Sequence, residues 1–159
     1  MTAVTLTRGE QWIAKLIAKQ RHKNNRVSNV SDGQLGPQSS EQTDLEGVAA
    51  EIAFGRMRNL FPDLSIGPRS GGPDFIGRDG SGIDVKTTTY DDGQLIATPK
   101  KAGDDGVDWY VLMVGTFPGP YEFKGYASRE ELFLPENLTD LGHGPTYALP
   151  QSALHKPSC

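Results

Sequence analysis

The chain has 159 residues, a net charge of −4, and hydrophobic and charged fractions of 36% and 23%, which suits one domain with one core rather than two. No apolar run reaches the roughly 18–20 residues that cross a bilayer, and Thr7, Arg8, Gly9 and Glu10 interrupt any apolar leader, so the expectation is a soluble, cytoplasmic protein with no membrane partner. A single cysteine, Cys159, leaves no internal disulfide and no Cys-rich zinc site, the three histidines show no metal-ligand spacing, and no Walker loop, GxGxxG or GxSxG is present, so disulfide scaffolds, nucleotide folds and hydrolase elbows lack support.

The charge is uneven along the chain. Residues 1–30 hold Arg8, Lys15, Lys19, Arg21, Lys23 and Arg26 against Glu10 alone, a net of +5, and the remainder carries −9. Such asymmetry fits a basic arm on an acidic body. Thr7 as N-cap and Glu10 three residues on form a capping box that predicts a helix over 8–23. Ile13, Leu16, Ile17 and Gln20 share one face, flanked by Trp12, and Arg8, Lys15, Lys19 and His22 gather on the other side. That basic side is either a solvated face or one that contacts phosphates. Residues 24–42, rich in Asn, Ser, Gly and Gln, read as a loop.

A second helix is expected from Thr43, with Thr43 and Glu46 as a further capping box. Leu45, Val48, Ala49, Ile52 and Ala53 form its apolar stripe, and Ala50, Phe54 and Met57 fill the far side, which predicts burial on two faces. Phe61-Pro62-Asp63 ends it near residue 60. Strands follow at 74–76 and 83–88, flanking a turn at 77–82, and at 95–97. Residues 108–116 form the most apolar run and predict a central buried strand, with 121–126 as its hairpin neighbour. Ser128 caps a short helix, and residues 134–159 read as an irregular tail. The sum is one domain, residues 1–159, of α/β class with a mixed sheet flanked by helices and its core in 44–133.

The chemistry gathers around Asp84. In an extended strand Asp84, Lys86 and Thr88 share one face and Ile83, Val85 and Thr87 the other, so a carboxylate and an ammonium stand about 6–7 Å apart. Asp74, across the hairpin, can add a second carboxylate, and magnesium prefers such hard oxygens with retained water. A third acid from the preceding helix would be Glu51 rather than Glu46, which has a capping role; Gly47 and Gly55, four residues to either side, leave Glu51 open to a cation, and Arg58 shares its face. Glu122-Phe123-Lys124 repeats the acid-x-Lys spacing, but reads as a charged face on an outer hairpin. One geometric condition applies. Asp74 shares a face with Asp84 and Lys86 only if the connecting loop is odd in length, with Asp74 opposite Lys86; a two-residue turn would put Asp74 on the wrong face.

Glu51 in GVAAEIAF, PDF at 73–75 and IDVKTT at 83–88 together resemble the PD-(D/E)xK nuclease superfamily, closest to small phage-encoded and Holliday-junction-resolvase-like members. The resemblance covers residues 44–116. It implies a restriction-endonuclease-like core and magnesium-dependent cleavage of phosphodiesters, with manganese able to substitute. Asp74 and Asp84 would then be metal ligands, Glu51 a ligand directly or through water, Val85 a ligand through its carbonyl, and Lys86 the group that orients or activates the attacking water. Gln94, Lys100 and Lys101 are candidates for the further basic or amide residue of the superfamily.

The expected function is therefore a metal-dependent nuclease acting on duplex or branched DNA in phage DNA metabolism or recombination. Lys15 and Lys19, with Arg8, Arg21, Lys23 and Arg26, would grip phosphates, and Arg58, Lys100 and Lys101 would add to that surface. A homodimer would supply two active sites. The alternatives are a catalytically silent nucleic-acid- or protein-binding module on the same fold, and an unrelated α/β protein in which Asp84 and Lys86 merely pair. In the nuclease reading three clustered carboxylates repel one another, so neutralising Asp84 is expected to raise metal-free stability.

Overall fold

The computed structural model describes residues 3–27, 39–67, 71–103 and 105–158. A short strand β1 (Ala3–Val4) precedes helices α1 (Arg8–Val27) and α2 (Ser40–Arg58), followed by β2 (Phe75–Ile76), β3 (Gly82–Thr88), β4 (Leu95–Ala97), β5 (Trp109–Val114), β6 (Tyr121–Ser128), a one-turn helix α3 (Arg129–Leu132), β7 (Leu138–Asp140) and β8 (Pro145–Leu149). The five-stranded sheet has the order β1-β6-β5-β3-β2. Only β3 and β5 run parallel in it, so the sheet is mixed. No helix among the described residues is long and apolar enough to cross a membrane.

The N-terminal capping box forms as the sequence predicts: the Thr7 amide donates to Glu10 Oε1 at 2.9 Å and the Glu10 amide to Thr7 Oγ1 at 3.2 Å. The buried face of α1 differs from the expected one by one residue. Ala14, Ile17, Ala18 and Arg21 are buried, while Trp12, Ile13 and Leu16 are exposed. One residue is 100° of helix rotation. The face taken is the one whose small residues let α2 approach, since α2 presents Ala49, Ala50 and Ala53, all fully buried, to the same core. Close packing of small side chains, with Arg21 satisfied by Glu51 on α2 and by the Asp63 and Ser65 carbonyls beyond it, overrides the larger apolar count of the other face.

The start of α2 also departs from the sequence reading. Ser39 is the N-cap, its hydroxyl accepting from the Gln42 amide, and Thr43 lies a turn inside the helix with its hydroxyl donating to the Ser39 carbonyl. Glu46 is thus no capping residue. Its buried carboxylate accepts from the Phe117 amide at 2.9 and 3.1 Å and from the Tyr121 hydroxyl at 2.5 Å, which ties α2 to the start of β6. Burial, followed by the bond to Glu46, pushes the Tyr121 phenol well above its ordinary range. Asn59, in the left-handed conformation, ends the helix, and the Leu60 amide folds back onto the Gly55 carbonyl at 2.8 Å. A Cβ on Gly55 would lie 2.8 Å from the Leu60 carbonyl oxygen and 3.0 Å from the Phe75 ring, so this glycine serves a close packing contact and leaves no open space beside Glu51.

The two faces of the large sheet are covered differently. Val85, Val111 and Met113 face α1 and α2 in one core cluster with Phe54, Phe75 and Phe123. Tyr110, Leu112, Val114 and Ala127 face a second cluster with Leu95, Ala97, Leu132, Leu149 and Leu154. That second cover includes a three-stranded antiparallel sheet of order β4-β8-β7. Residues 134–159 are therefore not an irregular tail. They supply β7, β8 and two core leucines, a role that short strands broken by Gly142, Gly144 and Pro145 do not signal by periodicity.

Candidate active site

The register of β2 on β3 decides whether the proposed acids meet. Phe75 lies opposite Ile83 and Ile76 opposite Gly82, so the connecting loop is residues 77–81, odd in length as the site requires, closed by the Gly77 amide on the Ser81 carbonyl at 2.8 Å. Asp74 lies just outside β2, one residue before the pair Phe75–Ile83, and not opposite Lys86 as the sequence reading has it. Its carboxyl nonetheless meets that of Asp84. Asp74 is held firmly there. Its amide donates to the Ile83 carbonyl at 2.9 Å and its carboxylate Oδ2 accepts the Val85 amide at 2.8 Å.

Asp84 is only 4% exposed. Lys86 Nζ stands 2.5 Å from its Oδ2, an ion pair outside hydrogen-bond angles, and the Asp84 carboxyl is in hydrogen-bond contact with that of Asp74. Burial pushes the Asp84 acid up. The Lys86 charge, the contact with Asp74 and the charge of Lys101 outweigh it and hold the group below the usual carboxylate range. Two touching carboxyls need a proton, an ammonium or a metal cation to compensate them. The N–H and C=O of one strand residue leave on the same side, so the Val85 carbonyl faces the side from which Asp74 reaches its amide. Two carboxylates and a carbonyl fit magnesium, which takes one or two carboxylates and keeps several waters.

Glu51 stands elsewhere. Val85 packs with α2, so the pleat turns Asp84 and Lys86 to the opposite face of the sheet from the helix that carries Glu51. Glu51 is 4% exposed and pairs with Arg21 at 3.3 Å. Among the described residues no group of three or more His, Cys, Asp or Glu side chains could hold a metal ion.

Arg21 itself is a correction to the phosphate-gripping set. It is 4% exposed, and its guanidinium donates to the Ser65 carbonyl at 2.9 Å, the Asp63 carbonyl at 2.5 Å and Glu51. A guanidinium so enclosed, with each of its three nitrogens donating to a partner inside the fold, is out of reach of a phosphate. Arg8, Lys15, Lys19 and Lys23 are exposed on α1, with the Lys15 ammonium 5.5 Å above the Phe117 ring; the Arg26 side chain lies outside the described residues. Arg58 and Lys100 are exposed, and Gln94 is exposed just before β4. Lys101, in the short 3-10 turn Pro99–Ala102, is the one of the further basic candidates whose charge reaches Asp84. The Glu122–Lys124 triplet is a surface ion pair at 2.8 Å, as its sequence context implies.

Two residues near the acids carry no sequence signal. Tyr110 pairs with Asp84 in the β3–β5 register and is fully buried. Its hydroxyl has no hydrogen-bond partner among the described residues, and burial pushes the phenol far up. Arg129 donates to the Val107 and Lys101 carbonyls, each at 2.8 Å, and to the Asp105 carboxylate, and so fixes the segment bearing Lys101. These contacts join positions more than twenty residues apart, which no local pattern reports. Comparisons with protein-family models, with curated proteins and with solved structures found no match to this chain.

Proposed function

We propose that the chain is a divalent-metal-dependent nuclease hydrolysing phosphodiester bonds in DNA. The observation that carries this reading is the contact of the Asp74 and Asp84 carboxyls, with Lys86 2.5 Å from the latter. Asp74, Asp84 and the Val85 carbonyl would hold Mg2+ or Mn2+, which lowers the pKa of bound water and neutralises charge on a phosphodiester. Lys86, 29% exposed at its side chain, is the group that reaches both the acids and solvent, and so the one to orient an attacking water. Glu51 has a structural role in this reading, through Arg21. The exposed Arg8, Lys15, Lys19 and Lys23 would contact backbone phosphates in a salt-dependent way. The resemblance at 44–116 adds phage DNA metabolism or recombination in the host cytoplasm as the setting, and cutting of two strands calls for a homodimer.

The test is cleavage of labelled duplex, nicked, flap, four-way-junction and single-stranded DNA with magnesium or manganese, for wild type, Asp84→Asn and Lys86→Ala. Metal-dependent cutting lost in both variants supports the nuclease, and the preferred substrate names its kind. The second reading, a catalytically silent nucleic-acid- or protein-binding module, draws on the engagement of Glu51 by Arg21 and the lack of a three-acid group among the described residues. Salt-sensitive DNA binding without cutting would favour it.

A further inference from the structure

On the face of the sheet that carries α2, the helix stops at Arg58 and leaves the first residues of β3 and β5 and part of β6 uncovered. The result is an open groove of about 620 Å3, within the roughly 300–1,000 Å3 of small-molecule sites. Four aromatic rings line it. Phe54 and Phe123 meet edge to face at 5.5 Å and 85°, and Trp109 and Tyr126 at 5.7 Å and 73°. Phe54 and Phe123 are buried in the core and Tyr126 also meets the His155 ring at 5.3 Å, so the ring left for a planar group to stack on is the half-buried Trp109.

The mouth is basic. Arg58, in the last turn of α2, and Arg78, in the β2–β3 loop, both line the groove and are exposed. Neither has a hydrogen bond or ion pair among the described residues. Asp79 also reaches the mouth, but its carboxylate is taken by Ser81, through the hydroxyl at 2.5 Å and the amide at 3.0 Å. Two free guanidiniums against one engaged carboxylate leave an excess of one positive charge, on a chain whose net charge is −4. Guanidinium forks match phosphate oxygens. A purely aliphatic ligand would use neither the Trp109 ring face nor the arginines.

We propose that this groove binds a free nucleoside monophosphate, its base against the Trp109 ring and its phosphate between Arg58 and Arg78. Asp84 and Lys86 stand on the opposite face of the sheet, so the site does not depend on whether the chain cleaves DNA.

The chain contains two tryptophans, Trp12 and Trp109. Trp12 is 67% exposed on α1, so Trp12→Phe leaves Trp109 as the sole reporter within the groove. Titration of that variant with adenosine 5′-monophosphate should quench Trp109 saturably, and equilibrium dialysis of the same nucleotide against the unmodified chain should return the same affinity. Arg58→Ala with Arg78→Ala, both exposed and checked for folding by circular dichroism, should weaken it roughly tenfold to a hundredfold, the loss expected for charge-assisted hydrogen bonds. Adenosine and inorganic phosphate, tested separately, should each bind more weakly than the monophosphate. No binding by dialysis at millimolar nucleotide overturns the proposal. So does equal affinity in the double variant, tighter binding of dodecanoate, or tighter binding of a short oligonucleotide, which would make the groove a strand track.

Discussion

Asp74 and Val85 are joined across the β2–β3 edge by a hydrogen bond in which the Asp74 carboxylate accepts the Val85 amide at 2.8 Å. β2 ends at Phe75 on this side, so the side chain of Asp74 receives an amide that a longer strand would have paired through its backbone. One oxygen atom thereby serves the sheet and the candidate site together.

That double role predicts a split between two substitutions. Asp74→Ala strands the Val85 amide, a loss of about 1–3 kcal/mol. Asp74→Asn keeps an acceptor at the same place and should lose distinctly less, while lowering magnesium affinity as far as alanine does. Urea denaturation without metal and magnesium titration of both variants check this. Equal destabilisation by Asn and Ala would show that the bond carries no stability.

The second prediction concerns pH and reverses an expectation from the sequence. Clustered acids alone predict that neutralising Asp84 raises metal-free stability. The structure places Lys86 against Asp84, and the folded acid sits below its ordinary value of 3.8. A depressed folded pKa contributes stability that is present above the unfolded value and is lost as pH falls through the folded one. Asp84→Asn should therefore be less stable than wild type at pH 7 without metal, by roughly 1–3 kcal/mol. The gap should close as pH drops below about 4. A variant more stable than wild type at pH 7 would restore carboxylate repulsion as the dominant effect.

The sequence made the elements around the site legible because each is locally encoded: the Thr7–Glu10 box, the apolar run of β5, and the alternation that puts Asp84 and Lys86 on one face. The parity of the β2–β3 loop was readable as a requirement of the chemistry, and the structure meets it with five residues, Asp74 reaching Asp84 from just outside β2. What escaped was non-local. The burial of Arg21 with Glu51 sits among residues counted as a basic face and an open acid, because helical periodicity does not say which of two adjacent faces a neighbour will choose. The strands β7 and β8 were hidden by their shortness. Arg129 and Tyr110 acquire their place near Asp84 only through β5 and β6 pairing.

The division of the basic residues yields a third prediction. Lys15→Glu with Lys19→Glu changes exposed side chains and should leave the melting temperature nearly unaltered. In the proposed DNA complex the same pair should reduce the salt slope of binding by about 1.8 if each lysine neutralises one phosphate. Arg21→Ala should do the reverse. It leaves Glu51 buried without its partner and removes donors from the Ser65 and Asp63 carbonyls, at a cost of about 3–5 kcal/mol. Whatever fraction stays folded should bind DNA with an unchanged salt slope. Full stability in Arg21→Ala would contradict its structural role.

Two glycines should respond to alanine with opposite signs. Gly82 opens β3 two residues before Asp84. Its amide donates to Asp108 Oδ2, and its carbonyl accepts the Asp108 amide, each at 2.8 Å. A Cβ there would fall 2.0 Å from the Gly106 carbonyl oxygen and 3.1 Å from Pro73 Cβ, so the backbone of one segment has to move. Gly82→Ala should lose about 1–3 kcal/mol, and it should disturb the Asp74–Asp84 alignment, because Pro73 is the neighbour of Asp74. Gly47, inside α2, meets nothing within 4 Å of its added Cβ. Gly47→Ala should gain about 0.5–1 kcal/mol by restricting the unfolded chain. Urea midpoints of the two variants should lie on opposite sides of wild type; a loss at Gly47 as large as that at Gly82 would mean that steric contact at the head of β3 is not what selects glycine there.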